Sequence, residues 1–425
     1  MADNKVVVIS IDSLFSSDLK VFALEKNIGS LLKRSAIVEN IECVYPTYTY
    51  PCHASIMTGC FPNKHGIVNS GPFEINQIGQ KWYWYKKDIR VPTLIEFARK
   101  HNLSSATICW PVMGGANSSD YNIAEIWPQS ETDDPTPVFD KANSPSVKHI
   151  FEKNKHILNY NRTPEFDFFA TACACDIIKE FKPDLTFIHL SFLDHQRHKH
   201  GCSIERVMTA VHFIDSMVGD IIKTVKEEGD YERTSFILLG DHGHKPVDKI
   251  FAINRVFAEK GWISHVNGNI DSWKIMAHST SFSSQIYTNG IALDDAGRIL
   301  RDMQKEYPLI IERVMTADEA NRKYNLRGDF DFVIEAMPGV VFSQSLTDPI
   351  YSAPIPDSMK APVSNHGFAP EKGPNPPFIV CGNQANAGAR VKFARLVDEA
   401  PTILSLFGIT MTDIDGKTIE QLFTR

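Results

Sequence analysis

The chain has 425 residues, of which 43% are hydrophobic and 22% charged, with 24 Gly and 24 Pro spread through it. That composition supports a large core and excludes collagen-like, low-complexity and wholly disordered classes. A net charge of −7 excludes a global basic field, so no nucleic-acid-binding surface is expected and any anionic substrate must be held locally.

Residues 1–5 lead straight into an apolar stretch without a secretory apolar region, and no later run is long enough to span a bilayer. The expectation is a soluble cytoplasmic protein with no membrane partner. Cys43, Cys52, Cys60, Cys109, Cys173, Cys175, Cys202 and Cys381 are too sparse for a disulfide scaffold and read as reduced, mostly buried thiols.

Residues 6–11, Val-Val-Val-Ile-Ser-Ile, form a β-branched run without alternation, the pattern of a strand buried on both faces. A helix is expected over about residues 18–33 and a second strand over 36–44. A turn-rich segment, residues 45–52, then leads to a short helix over about 53–58, which places Thr49 near a helix N-terminus, where free N–H groups favour anions. Residues 117–162, acidic and Pro-rich around Glu131, read as an irregular surface excursion. Residues 185–190 and 235–240 read as central strands, with an amphipathic helix over 204–225 between them. Residues 377–381 form a late strand and 396–407 a late helix. Repeated strand and helix text predicts an α/β fold: a doubly wound, mostly parallel sheet with helices on both faces. Residues 1–250 and 358–425 form its core, and 251–357 an inserted smaller cap.

Asp12, Asp194 and Asp241 each follow the carboxyl end of a predicted strand. In an open parallel sheet those ends share one edge, so the three carboxylates converge in one crevice, and a divalent cation is the simplest way to neutralise them. His198, His242 and His366 accompany them. Mixed Asp and His ligands suit zinc first, or manganese or iron. The count fits two metals: Asp12, Asp241 and His242 around one, and Asp194, His198 and His366 around the other, a pair able to clamp the charge of a displacement at phosphorus. His195, His200 and His244 read as supporting or surface residues, and His53 and His65 as structural hydrogen-bonders. The aromatic run Lys81-Trp-Tyr-Trp-Tyr-Lys-Lys87 reads as packing against the core in preference to a stacking platform.

Six motifs in order, Ser10-Ile-Asp12, Tyr45-Pro-Thr-Tyr-Thr49-Tyr-Pro-Cys-His53, Thr58-Gly-Cys-Phe-Pro-Asn-Lys-His65-Gly-Ile67, Asp194 with His198, Gly240-Asp-His-Gly243, and Asn365-His-Gly367, span most of the chain. Through them the sequence resembles the alkaline phosphatase superfamily, in its nucleotide pyrophosphatase/phosphodiesterase (type I phosphodiesterase) branch. The resemblance implies that Thr49 is the nucleophile, bound to the metal of Asp12, Asp241 and His242, and that a covalent phospho-threonine forms. It implies a metal-dependent hydrolase of phosphodiester or pyrophosphate bonds in a small phosphate ester or nucleotide-like substrate. The Thr49 segment has no Arg, which favours a diester or pyrophosphate over a monoester. Tyr50 matches the position whose ring faces the leaving group, and Asn69 or Ser70 the phosphate-oxygen donor. The chain departs from the family pattern at Cys52, His244 and Arg197, and Arg197 is expected to contact a second anionic group. The alternatives are a phosphonate or phosphomonoester hydrolase of the same superfamily, and a non-catalytic metal-binding sensor. The other reading of Thr49 is a helix cap whose hydroxyl satisfies an N–H, a role partly compatible with that of nucleophile.

Overall fold

The computed structural model describes residues 4–76, 82–127, 134, 136–158 and 163–424. Eight strands form its central sheet: β1 (Lys5–Ile11), β2 (Ser35–Val38), β3 (Ser105–Trp110), β4 (Tyr121–Ala124), β5 (Leu185–Leu190), β6 (Thr234–Leu239), β7 (Phe378–Cys381) and β8 (Arg390–Val391). Their spatial order is β8-β2-β7-β6-β1-β5-β3-β4. Every neighbouring pair is parallel except those of β7, which runs antiparallel to β2 and β6.

Alternation along β1 explains the two layers. Val7, Ile9 and Ile11 point to one face, into a core shared with the Glu165–Phe181 and Met208–Glu227 helices. Val6 and Val8 point to the other, against the Thr49–Thr58 and Glu399–Ser405 helices. A strand covered on both faces is apolar at every position, which is why β1 shows no polar alternation. The expected doubly wound α/β architecture is present.

Three local expectations are corrected. Residues 18–33 do not form one helix: a short helix at Leu19–Phe22 is followed by another at Asn27–Leu32. The second starts where Asp215, from the Met208–Glu227 helix, accepts hydrogen bonds from the Asn27 and Ile28 N–H groups at 3.0 and 2.7 Å, a cap delivered through space. The strand expected over 36–44 is split into β2 and a two-residue strand, Ile41–Glu42. The stretch 117–162 is not irregular, because it carries β4 and the helices Thr136–Ala142 and Lys148–Asn154, whose Phe139, Ile150 and Phe151 are buried. Its acidic centre, residues 128–133 with Glu131, lies outside the described residues.

Between β6 and β7 the chain builds a second core around an antiparallel four-stranded sheet, ordered Ile275–Ser279, Ser283–Thr288, Phe332–Ala336 and Ile311–Thr316. All eight cysteines are free thiols. Among the described residues no helix is long and apolar enough to cross a membrane.

Candidate active site

The site lies at the carboxyl ends of β1, β5 and β6. Asp12 follows β1, its N–H donating to the Leu190 carbonyl at 2.9 Å. Asp241 and His242 follow β6. Asp194 and His198 sit one turn apart on the Phe192–His200 helix and therefore share a face. That helix is anchored by buried Asp167, which accepts from the Ser191 and Phe192 N–H groups at 3.0 and 2.8 Å. His366 arrives from the far side of the inserted region, on a bridge in which Ser364 and Asn365 pair with Pro246 and Lys245.

Thr49 is the first residue of the Thr49–Thr58 helix, preceded by an extended Tyr48. The helix is buried nearly all round, so its position is set by packing on the sheet. Thr49 itself is half-buried, with Oγ1 3.0 Å from His242 Nε2. His53, one turn on, lies 2.8 Å from the Thr49 carbonyl and 2.9 Å from Ser10 Oγ, the structural bonding expected of it.

Two groups of side chains are close enough to hold cations: Asp12, Asp241 and His242, and Asp194, His242, His244 and His366, with His242 common to both. His242 Nε2 is 3.4 Å from Asp12 Oδ1 and 3.2 Å from Asp241 Oδ2. Both of those oxygens are buried without a hydrogen-bond partner among the described residues, as expected where a cation is the missing partner. His198 Nε2 is 3.2 Å from Asp194 Oδ2, and the His242 and His366 rings stack at 4.0 Å. The buried donor set thus fits a metal.

The electrostatics agree. Burial, with Asp241 and Asp194 nearby, pushes the Asp12 carboxyl well above its ordinary range. Burial likewise raises Asp241 to about 7. Burial lowers His242 to about 3 and His244 to about 4, and holds His366 well below its usual value. Burial opposes ionisation of Asp194, but the His198 and His244 imidazoles outweigh it and hold that carboxyl low. Crowded carboxylates and neutral imidazoles at one sheet edge form a cation site in waiting.

A cleft of about 460 Å³ opens over this cluster, lined among others by Thr49, Tyr50, Ser70, Trp82, Trp127, Met359 and His366. Tyr50 lies at its wall, with its ring 5.3 Å from that of Trp82 and its hydroxyl donating to Glu125 at 3.1 Å. Within the aromatic run, Trp82 therefore borders the cleft, while Trp84 and Tyr85 pack against the core; Lys81 lies outside the described residues.

Two expected substrate contacts are corrected. Arg197 is fully buried and does not line the cleft: Nη2 meets Asp18 Oδ2 at 2.6 Å, Nη1 donates to the Cys202 carbonyl at 2.6 Å, and the guanidinium lies 3.5 Å over the Phe15 ring. Arg197 directly precedes His198, so its side chain leaves the helix about 100° around from it and off the face that Asp194 and His198 share. Asn69 is likewise turned away, its amide nitrogen 3.3 Å from Gln285 Oε1 and its oxygen accepting from the Ser70 N–H at 2.8 Å. Of the two candidates, Ser70 lines the cleft.

His244, read from sequence as a supporting residue, is buried inside the second group, with Nε2 2.6 Å from Asp194 Oδ1. Its place two residues after His242, on an extended segment, is the signal that was available. His195 borders the cleft, its Nδ1 3.1 Å from the Ser191 carbonyl, whereas His200 is half-exposed and 3.4 Å from Asp357. Sequence reading missed Glu125 and His189, both buried at carboxyl ends of strands.

Known proteins share the fold and, over much of the chain, the sequence. Murine ectonucleotide pyrophosphatase / phosphodiesterase 5 superposes with a TM-score of 0.71 over 99% of this chain and 100% of that one, at 16% identity, and so shares the fold. Human ectonucleotide pyrophosphatase/phosphodiesterase family member 1 is 27% identical over 227 residues, covering 51% of this chain and 21% of that protein. Human bis(5'-adenosyl)-triphosphatase is 24% identical over 249 residues, covering 56% and 47%. A pyrophosphatase/phosphodiesterase of Schizosaccharomyces pombe is 23% identical over 276 residues, covering 60% and 50%. The chain therefore matches half or less of the length of these curated relatives. The family described as type I phosphodiesterase / nucleotide pyrophosphatase matches residues 6–369. With that match running over most of its length, the chain belongs to the type I phosphodiesterase / nucleotide pyrophosphatase family.

Proposed function

We propose that the chain hydrolyses phosphodiester or pyrophosphate bonds in small phosphate esters or nucleotides, with Thr49 as nucleophile. The observation that carries this reading is the half-buried Thr49 hydroxyl, at a helix N-terminus and 3.0 Å from the histidine common to both cation-holding groups. Asp12, Asp241 and His242 would hold one divalent cation, and Asp194, His198 and His366, joined by His244, a second. The mixed imidazole and carboxylate donors suit zinc first, then manganese or iron. When bound, two such cations supply Lewis-acid stabilisation of the attacking and leaving oxygens.

The side chains account for the rest. Thr49 Oγ1 gives up its proton to water in the cleft and bonds to phosphorus while the bond to the leaving oxygen breaks and that oxygen takes up a proton, producing a phospho-threonine that still carries the second substituent of the ester. A water oxygen then bonds to phosphorus, the Thr49 ester bond breaks, and the hydroxyl regains a proton; two inversions give net retention. The helix N-terminus favours the anionic phosphate, and Ser70 lies within the same cleft. Trp82 offers a flat face to a ring on the ester, with the buried Tyr50 ring packed against it. An inactive threonine-to-alanine variant of the murine structural relative is in complex with AMP, which supports a nucleotide-like ester.

Zinc-loaded protein assayed on bis(p-nitrophenyl) phosphate, p-nitrophenyl phosphate and phosphonoacetate tests the reading. The diester is expected to turn over fastest. Thr49→Ala is expected to lose roughly 10³-fold or more in kcat with its zinc retained. Acid-quenched turnover of the diester is expected to leave a p-nitrophenyl phosphoryl group on Thr49. Label on a different residue, or preferred turnover of phosphonoacetate, overturns the assignment.

A further inference from the structure

Glu125 follows β4, at the same sheet edge as the cation-holding residues, and is almost completely buried. Its carboxylate has three partners. Oε1 accepts from the Tyr50 hydroxyl at 3.1 Å and from the Trp127 indole N–H at 2.9 Å. Oε2 lies 2.8 Å from His189 Nδ1. The His189 ring continues the chain, with Nε2 3.1 Å from Asp12 Oδ2. The parallel register makes this possible: His189 in β5 is paired with Ser10 in β1, so its side chain meets Asp12 just beyond the strand end.

One oxygen of Asp12 is occupied by His189. The other, Oδ1, has no hydrogen-bond partner among the described residues and is the one facing His242 Nε2. All three of Glu125's partners, Tyr50, Trp127 and His189, line the cleft, as does Glu125 itself. A single buried carboxylate therefore joins the cleft's aromatic wall to a candidate cation ligand.

Resting on the function proposed above, we infer that Glu125 is a positioning residue: through His189 it turns Asp12 Oδ1 toward the cation, and through Tyr50 and Trp127 it fixes the wall that receives the ester's leaving group. Residues that orient a metal ligand without touching the metal are worth about 10- to 100-fold in metal affinity. A carboxylate with only a packing role lowers stability and leaves that affinity alone.

The test measures zinc affinity of the folded full chain by competition with a chromogenic chelator, in parallel with kcat and KM on an aromatic diester. Glu125→Ala is expected to weaken zinc binding by about 10- to 100-fold, with His189→Gln following it. Glu125→Gln, which keeps the shape and an acceptor for Tyr50 and Trp127, is expected to weaken zinc binding while leaving KM within about twofold of the parent. Tyr50→Phe and Trp127→Phe each remove one donor and are expected to raise KM with zinc affinity unchanged. Parent-like zinc affinity in folded Glu125→Ala overturns the inference, as does an equal loss in Tyr50→Phe. If Glu125→Ala does not fold, Glu125→Gln decides by the same zinc readout. Because affinity is read without substrate, a parent chain that binds zinc but hydrolyses no ester counts against the proposed activity and not against the role of Glu125.

Discussion

Arg197 and Asp18 form a fully desolvated ion pair, Nη2 to Oδ2 at 2.6 Å, that ties the loop after β1 to the helix bearing Asp194 and His198. Asp18 Oδ2 also accepts from the Phe15 N–H at 2.7 Å, so one carboxylate oxygen closes the loop and holds the helix. The cation that sequence reading placed in the substrate cleft thus holds two ligand-bearing segments together from behind.

Arg197→Ala leaves the Asp18 carboxylate buried without its partner, and the expected loss is about 3–5 kcal/mol of stability by urea denaturation. KM for the diester is expected to stay near the parent value, because the guanidinium does not reach the cleft. A raised KM with stability preserved would restore the substrate-contact reading.

Cation affinity is expected to depend on pH through Asp241. Burial raises its carboxyl to about 7, so below that pH the metal-free chain holds a proton where the cation must bind. The neutral imidazoles of His242 and His244, held low by burial, do not compete until far more acidic conditions. The raised Asp12 carboxyl of the same group competes as well, so zinc affinity is expected to fall by about tenfold or more per pH unit below about 7. Calorimetry in buffers of different ionisation heat checks the accompanying release of about one proton or more. Affinity constant between about pH 6 and 7 excludes Asp241 as the competing acid.

Gly367 holds His366 in place through a backbone that only glycine accepts. Its φ is +94°, and an added Cβ would lie 1.8 Å from the Thr280 carbonyl oxygen. Its N–H donates to the Thr47 carbonyl at 2.8 Å, next to the nucleophile segment. Gly367→Ala is expected to cost roughly 2 kcal/mol or more and to weaken the cation site that His366 serves. Metal analysis after dialysis is expected to show one cation per chain in place of two.

Glu335 links the antiparallel sheet to the nucleophile segment. Fully buried, it accepts from the Tyr45 hydroxyl, from the Ala369 N–H at 2.9 Å, and from Lys372 at 2.8 Å. Glu335→Gln is expected to cost about 1–3 kcal/mol by leaving imperfect partners in a dry site. Lys372 keeps a second partner, Glu312 at 2.6 Å, so urea denaturation of Glu335→Leu with Lys372→Met is expected to show no recovery relative to Glu335→Leu alone. A more stable double variant would show that the Lys372 charge depends on Glu335.

Much of the architecture was legible because strands buried on both faces are mostly apolar: β1, β5 and β6 stand where their Val-, Ile-, Leu- and Phe-rich runs predict. The carboxylates after those strands were legible for the same reason, since parallel strand ends share an edge. Elements stabilised by distant partners were not. The break near Asn27 depends on Asp215, 188 residues away, and the helices within 117–162 depend on packing that their acidic, Pro-rich text conceals.

At the site, residue type and motif order made Thr49, Asp12, Asp194, His198, Asp241, His242 and His366 the candidates. Direction was beyond their reach. Which way Arg197 and Asn69 point, that His244 turns inward, and that Glu125 reaches Asp12 through His189 are set by rotamers and by contacts between segments brought together only on folding. A strand end places a residue at an edge, but the neighbours it meets there, contributed by remote parts of the chain, decide which side chains turn toward the cleft and which brace it from behind.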